Sequence, residues 1–176
     1  AGRMTGTEGA RLATDYVAQI MAELGLAPAG DMGGWFQHYG FTSSVTLAEG
    51  NRLTLLRGDG ESDLVLGEDW RPLAFSGGGT VEAGELVFAG YGILAPGEGD
   101  FPAYDSYAEL DVTDKWVLVF RYLPEDLSPE HRQYLHEYAD LRFKAMVARD
   151  KGARGLVIAS GPTSRVTEQL VTLESE

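Results

Sequence analysis

The chain has 176 residues, 44% of them hydrophobic, enough for one ordinary domain with a packed core plus an appendage. Fourteen Lys and Arg against 27 Asp and Glu leave a formal charge of −13 with no basic cluster, which argues against a nucleic-acid or anionic-membrane partner. Cysteine is absent, which excludes disulfides, thiol catalysis and Cys-type zinc sites, and no apolar run approaches the roughly 20 residues of a membrane span.

Residues 5–24 read as an amphipathic helix. Thr5 and Glu8 have the spacing of a capping box, and Gly25 suits the left-handed turn that ends a helix. Ala13, Tyr16, Val17, Ile20, Met21 and Leu24 recur at helical spacing and form one apolar stripe that needs a partner to pack on. A glycine-rich loop follows, and then the pattern changes to period two. Strands are expected at Phe41–Leu47, Arg52–Arg57, Leu64–Leu66 and Glu85–Tyr91, the first three as an antiparallel meander joined at Glu49-Gly50-Asn51 and Gly58-Asp59-Gly60. Gly90 and Gly92 around Tyr91 permit a bend or a close backbone approach.

The last third reads β-α-β. Trp116–Tyr122 is nearly all apolar, as expected of a strand covered on both faces. Ser128 with Pro129 opens a helix expected to run unbroken to Lys151, where Gly152 stops it. Leu156–Ala159 is the next strand, and a crossover of this length joins parallel neighbours. The expected class is α+β.

Several of these segments, in this order, carry a family resemblance. They are Glu85-Leu86-Val87-Phe88-Ala89-Gly90-Tyr91-Gly92, Tyr104-Asp105-Ser106-Tyr107, Lys115-Trp116-Val117-Leu118-Val119-Phe120, Lys144-Ala145 and Lys151-Gly152-Ala153-Arg154-Gly155-Leu156-Val157-Ile158. Together they resemble the protease-associated (PA) domain inserted into secreted two-zinc aminopeptidases of the glutamate-carboxypeptidase and transferrin-receptor type. Gly2 to Gly9 and Leu24-Gly25-Leu26-Ala27-Pro28 resemble the entry segment of the same enzymes. The resemblance implies a mixed β-sheet or open barrel with flanking helices. It implies that residues 1–33 are an entry helix and linker packed on a catalytic domain, and that 34–176 are a PA-like domain truncated at its C-terminal edge.

The function implied is that of a non-catalytic fragment of a zinc aminopeptidase, flanking the active-site cleft and contributing to substrate access or protein contact. The alternative is a free-standing PA-like binding module with no linked enzyme. In the family a His-x-Asp pair and further carboxylates and histidine hold two zinc ions, and a neighbouring Glu activates the bridging water. This sequence contains no His-x-Asp, so no catalytic or metal-binding residue is carried over. The zinc ions belong to the absent catalytic domain. That domain and a peptide or protein substrate are the implied partners, in an extracellular or periplasmic setting. Trp35 and Tyr91 are the residues expected to face substrate or partner. The stripe of Tyr16, Val17, Ile20, Met21 and Leu24 would dock on the catalytic domain or pair two copies.

Three constellations imitate sites. His136-Glu137-Tyr138-Ala139-Asp140 has Asp where a zinc-protease motif needs its second His, and an ordinary helix face is the better reading. Asp59, Glu61 and Asp63 read as an acidic hairpin turn rather than a calcium loop. Asp105 reads as a helix N-cap, with Asp111 and Asp114 on a solvated rim, and His131 is expected to be merely solvated.

Overall fold

The computed structural model describes residues 2, 4–58, 60–162, 164, 170 and 171. The fold is α+β, and the described chain divides into two compact units, one reaching Asn51 and the other running from Arg52 to Val171.

The first unit contains helix α1 (Glu8–Glu23) and a 3-10 turn at Asp31–Gly33. Thr7, rather than Thr5, caps α1, its hydroxyl accepting from Ala10 N at 3.3 Å. Gly6 explains the shift: its φ of +79° breaks the helical path between Thr5 and Glu8, and Glu8 pairs with Arg11 instead. Gly25 ends the helix with φ +76°, as expected. No residue of α1 is buried. The strand expected at Phe41–Leu47 does not form; alternation supplies a face, but a strand also needs a neighbour to pair with.

Among its described residues the second unit holds seven short strands in three separate sheets. β1 (Leu53–Arg57) and β2 (Gly60–Leu64) form the antiparallel hairpin expected, its second strand starting earlier than the sequence pattern placed it. β4 (Leu94–Ala95) and β5 (Tyr104–Asp105) pair antiparallel. β3 (Leu86–Phe88), β6 (Trp116–Phe120) and β7 (Gly155–Ala159) form a parallel sheet in the order β3-β6-β7. No barrel forms among the described residues, because each two-stranded ribbon stays separate from the parallel sheet.

Between β6 and β7 the single helix expected is two: α2 (Pro129–His136) and α3 (Leu141–Asp150). Ser128 and Pro129 open α2 as expected. The break arises at Asp140, whose carboxylate accepts from Arg142 N at 2.8 Å and Phe143 N at 3.1 Å and so starts a new helix.

The core follows from strand alternation. Val117 and Val119 on β6 are fully buried with Val112, Val147 and Ala148, and Phe143, Leu156 and Ile158 pack at the margin. A second cluster gathers Ile93, Ala95, Leu123 and Leu135. The opposite face of β6, carrying Trp116, Leu118 and Phe120, is only half-buried, and its register partners Leu86 and Phe88 on β3 are exposed. The strand is therefore covered on one face and not on both, since α3 packs against one side only of this alternation.

Tyr107 is a polar exception within the core. Its hydroxyl is buried without a hydrogen-bond partner among the described residues. Burial, with a smaller contribution from Asp105, pushes its pKa up to about 12. Lys151 Nζ lies 5.3 Å from the ring centroid. An unpaired buried hydroxyl costs about 1–3 kcal/mol, so Tyr107→Phe is expected to unfold at the same or a higher urea concentration. A loss beyond about 1 kcal/mol would mean that the hydroxyl is satisfied after all.

Candidate functional site

In parallel sheets the strand C-termini, where backbone leaves the ladder, are the usual place for a ligand. Here that edge is made by Ala89–Gly92 after β3, Phe120–Leu123 after β6, and Ser160–Gly161 after β7. Phe120 N donates to Gly90 O at 2.8 Å and Arg121 N donates to Ala159 O at 2.9 Å, so the three exits are tied together. Gly92 turns back on itself, its N donating to Ala89 O at 2.8 Å. With no Cβ it lies directly against the buried Val119 side chain.

Beneath this edge sits Lys144, from the first turn of α3. It is 0% exposed and has no carboxylate partner among the described residues; its ammonium donates to Phe120 O at 2.9 Å, Arg121 O at 3.0 Å and Tyr122 O at 2.9 Å. All three protons are used, on three consecutive backbone carbonyls at the end of β6. Desolvation lowers its pKa from 10.5 to about 8. A depressed lysine is a common sign of a nucleophile or general base. This one is sealed from solvent and fully engaged, so its work is to pin the exit of β6.

A depression of about 30 Å³ is lined by Tyr91, Phe120, Tyr122, Leu123, Glu125 and Gly161, among others, which is room for about one water. Tyr91 meets the Phe120 ring edge-on, with centroids 5.5 Å apart, and is half-buried against the second core cluster. The guanidinium of Arg121 lies 5.2 Å from the Tyr122 ring. Aromatic carbon and one carboxylate make a contact surface here; no hydroxyl–imidazole pair of the kind acyl transfer needs lines it among the described residues.

No family model, no curated protein and no solved structure matches the chain.

The other residues singled out from sequence are scattered. Trp35 lies half-buried in the first unit, beyond the 3-10 turn, whereas Tyr91 lies in the second. Tyr16, Val17 and Met21 are exposed on α1 and Leu24 at its C-cap, while Ile20 is half-buried. His38 donates its backbone N–H to Asp31 at 2.7 Å, with its ring Nδ1 3.2 Å from the same oxygen. Those bonds hold the Asp31 carboxyl below its usual range. His136 ends α2 while Asp140 caps α3, so the pair does not share one helix face. His131 is not merely solvated: its ring stacks on Phe101 at 5.3 Å and its Nε2 is buried. Asp105 caps no helix; it ends β5 and accepts from Tyr107 N at 2.8 Å.

Among the acidic residues, Asp63 binds Arg52 and the Thr54 hydroxyl, and Asp114 binds Arg154. Asp111 accepts from Thr113 N at 3.0 Å. Asp59 lies outside the described residues. No group of three or more His, Asp or Glu among the described residues is arranged to hold a metal ion.

Proposed function

We propose that this chain is the non-catalytic, PA-domain-like portion of a secreted two-zinc aminopeptidase, flanking the active-site cleft of a separate catalytic domain and contributing to substrate access or protein contact. The observation that carries this reading is the uncovered stripe of α1. Tyr16, Val17 and Met21, with Leu24 at the C-cap, lie exposed on a helix of 16 residues, a length that is marginal in water without a packed partner. In the resemblance, that helix packs on the catalytic domain.

The motif order adds support. Gly90-Tyr91-Gly92 after β3, Lys115-Trp116-Val117 at β6 and Lys151-Gly152-Ala153-Arg154-Gly155 before β7 fall on successive elements of one parallel sheet. The two zinc ions belong, on this reading, to the catalytic domain; the described residues offer no ligand set that fits them. The contribution of this chain is shape and surface.

The purified chain is expected to release no chromophore from amino-acid p-nitroanilides, with or without added zinc. Turnover above the metal-free control overturns the reading. A second measurement addresses the stripe. Val17→Glu with Met21→Glu should leave folding stability within about 0.5 kcal/mol, the usual range for exposed sites. A loss above about 2 kcal/mol would mean the chain covers the stripe itself. Coding sequence beyond residue 176 separates this reading from the free-standing module: a downstream His-x-Asp pair favours the peptidase, and a stop codon favours the module.

A further inference from the structure

Met32 stands at the crest of the 3-10 turn in the first unit. Its φ of +50° is a left-handed conformation that costs a non-glycine residue roughly 1–2 kcal/mol. The turn is held without help from the methionine side chain. Gly30 N donates to Gly34 O at 2.7 Å, Asp31 N to Phe36 O at 2.8 Å, Gly34 N to Asp31 O at 2.9 Å, and His38 N to the Asp31 carboxylate at 2.7 Å. The thioether is thus carried outward on a backbone fixed from both sides. Its relative exposure is 103%, against 74% for Met4, 41% for Met21 and 40% for Met146.

A dialkyl sulfide in the open is a two-electron nucleophile toward peroxides, and access governs which methionine reacts first. We propose that Met32 is a modification site, oxidised to the sulfoxide by hydroperoxides ahead of the other three methionines. In the reaction a sulfur lone pair attacks one peroxide oxygen. The O–O bond breaks as the S–O bond forms, and the displaced hydroxide takes up the proton shed by the transferred oxygen. The sulfide is oxidised by two electrons, and hydrogen peroxide leaves as water. Met21 on α1 and Met146 on α3 are each less than half as exposed as Met32, so attack on them is slower.

The product changes the surface more than the fold. An apolar crest becomes a polar one, while every hydrogen bond that holds the turn remains. Any contact that uses the Met32 side chain would therefore be sensitive to oxidant, and the stability of the chain would not be.

The experiment is a time course of the intact chain in dilute hydrogen peroxide, quenched with free methionine and mapped by peptide mass spectrometry. Met32 sulfoxide is expected first, forming about two to three times faster than at Met21 or Met146 and ahead of Met4, in step with exposure. The singly oxidised chain should keep its thermal midpoint, and Met32→Leu should abolish the fastest phase. Oxidation of Met21 or Met146 at the rate of Met32, or an unchanged fastest phase in Met32→Leu, overturns the proposal. A lowered midpoint after one oxygen at Met32 also overturns it, because the side chain would then be part of the packing.

Discussion

Lys144→Ala is expected to cost about 3–5 kcal/mol, because it empties a buried volume and strips three backbone carbonyls of their donor at once. Against a whole-domain stability of about 5–15 kcal/mol, such a loss brings the chain close to unfolding at ambient temperature. Lys144→Met keeps most of the stem and loses only the ammonium, so urea unfolding should place it between the alanine variant and the parent. A Lys144→Ala chain within about 1 kcal/mol of the parent would show that the carbonyls find water easily.

The parent should also respond to alkali in a particular direction. The folded pKa is about 8 and the ordinary value 10.5, so between them the unfolded chain holds a proton that the folded chain has released. Stability conferred by this group therefore rises with pH across that window, and the desolvation cost is felt in full below it. The gain has a ceiling of about 3 kcal/mol, since the three carbonyls favour the ammonium and oppose its loss. Measured as the parent minus Lys144→Met, which cancels other titrations, the difference should shift in the parent's favour as pH climbs. A flat difference would mean that carbonyl contacts fully offset the desolvation.

Where an element declares itself by local chemistry, the sequence was a sound guide. The unbroken apolar run at Trp116–Phe120 and the Ser128-Pro129 start depend on residues adjacent in the chain. Phe41–Leu47 alternates like a strand, yet pairing is a property of two segments and only one was in view. The helix break at Asp140 was legible in principle, for Asp directly before Leu141 and Phe143 is an N-cap pattern. Lys144 also carried a readable signal, since it shares a helix face with Val147 and Ala148, where a lone lysine must be buried or bent away. Its three acceptors were not readable, because a backbone carbonyl that a strand end presents to a side chain leaves no trace in residue type.

Gly92→Ala should be the most damaging of the single-methyl additions at the sheet's carboxyl edge. A Cβ there would stand 2.7 Å from Val119 Cγ1 and 3.1 Å from Val119 Cβ, and Val119 is fully buried in the core cluster. Residue 92 also has φ +64°, so the substitution adds backbone strain to the collision. The two together should cost about 2–4 kcal/mol in chemical unfolding. Gly99 separates the contributions: its φ is +55° but nothing lies within 4 Å of an added Cβ, so Gly99→Ala should lose about 1 kcal/mol from strain alone. Val119→Ala supplies the other half of the cycle. It removes the methyls that the new Cβ would strike, so the double variant should be more stable than the summed losses by about 1–2 kcal/mol. Strict additivity would place the damage at Gly92 in the turn alone, and the close approach of the β3 exit to Val119 would then contribute nothing to the cost.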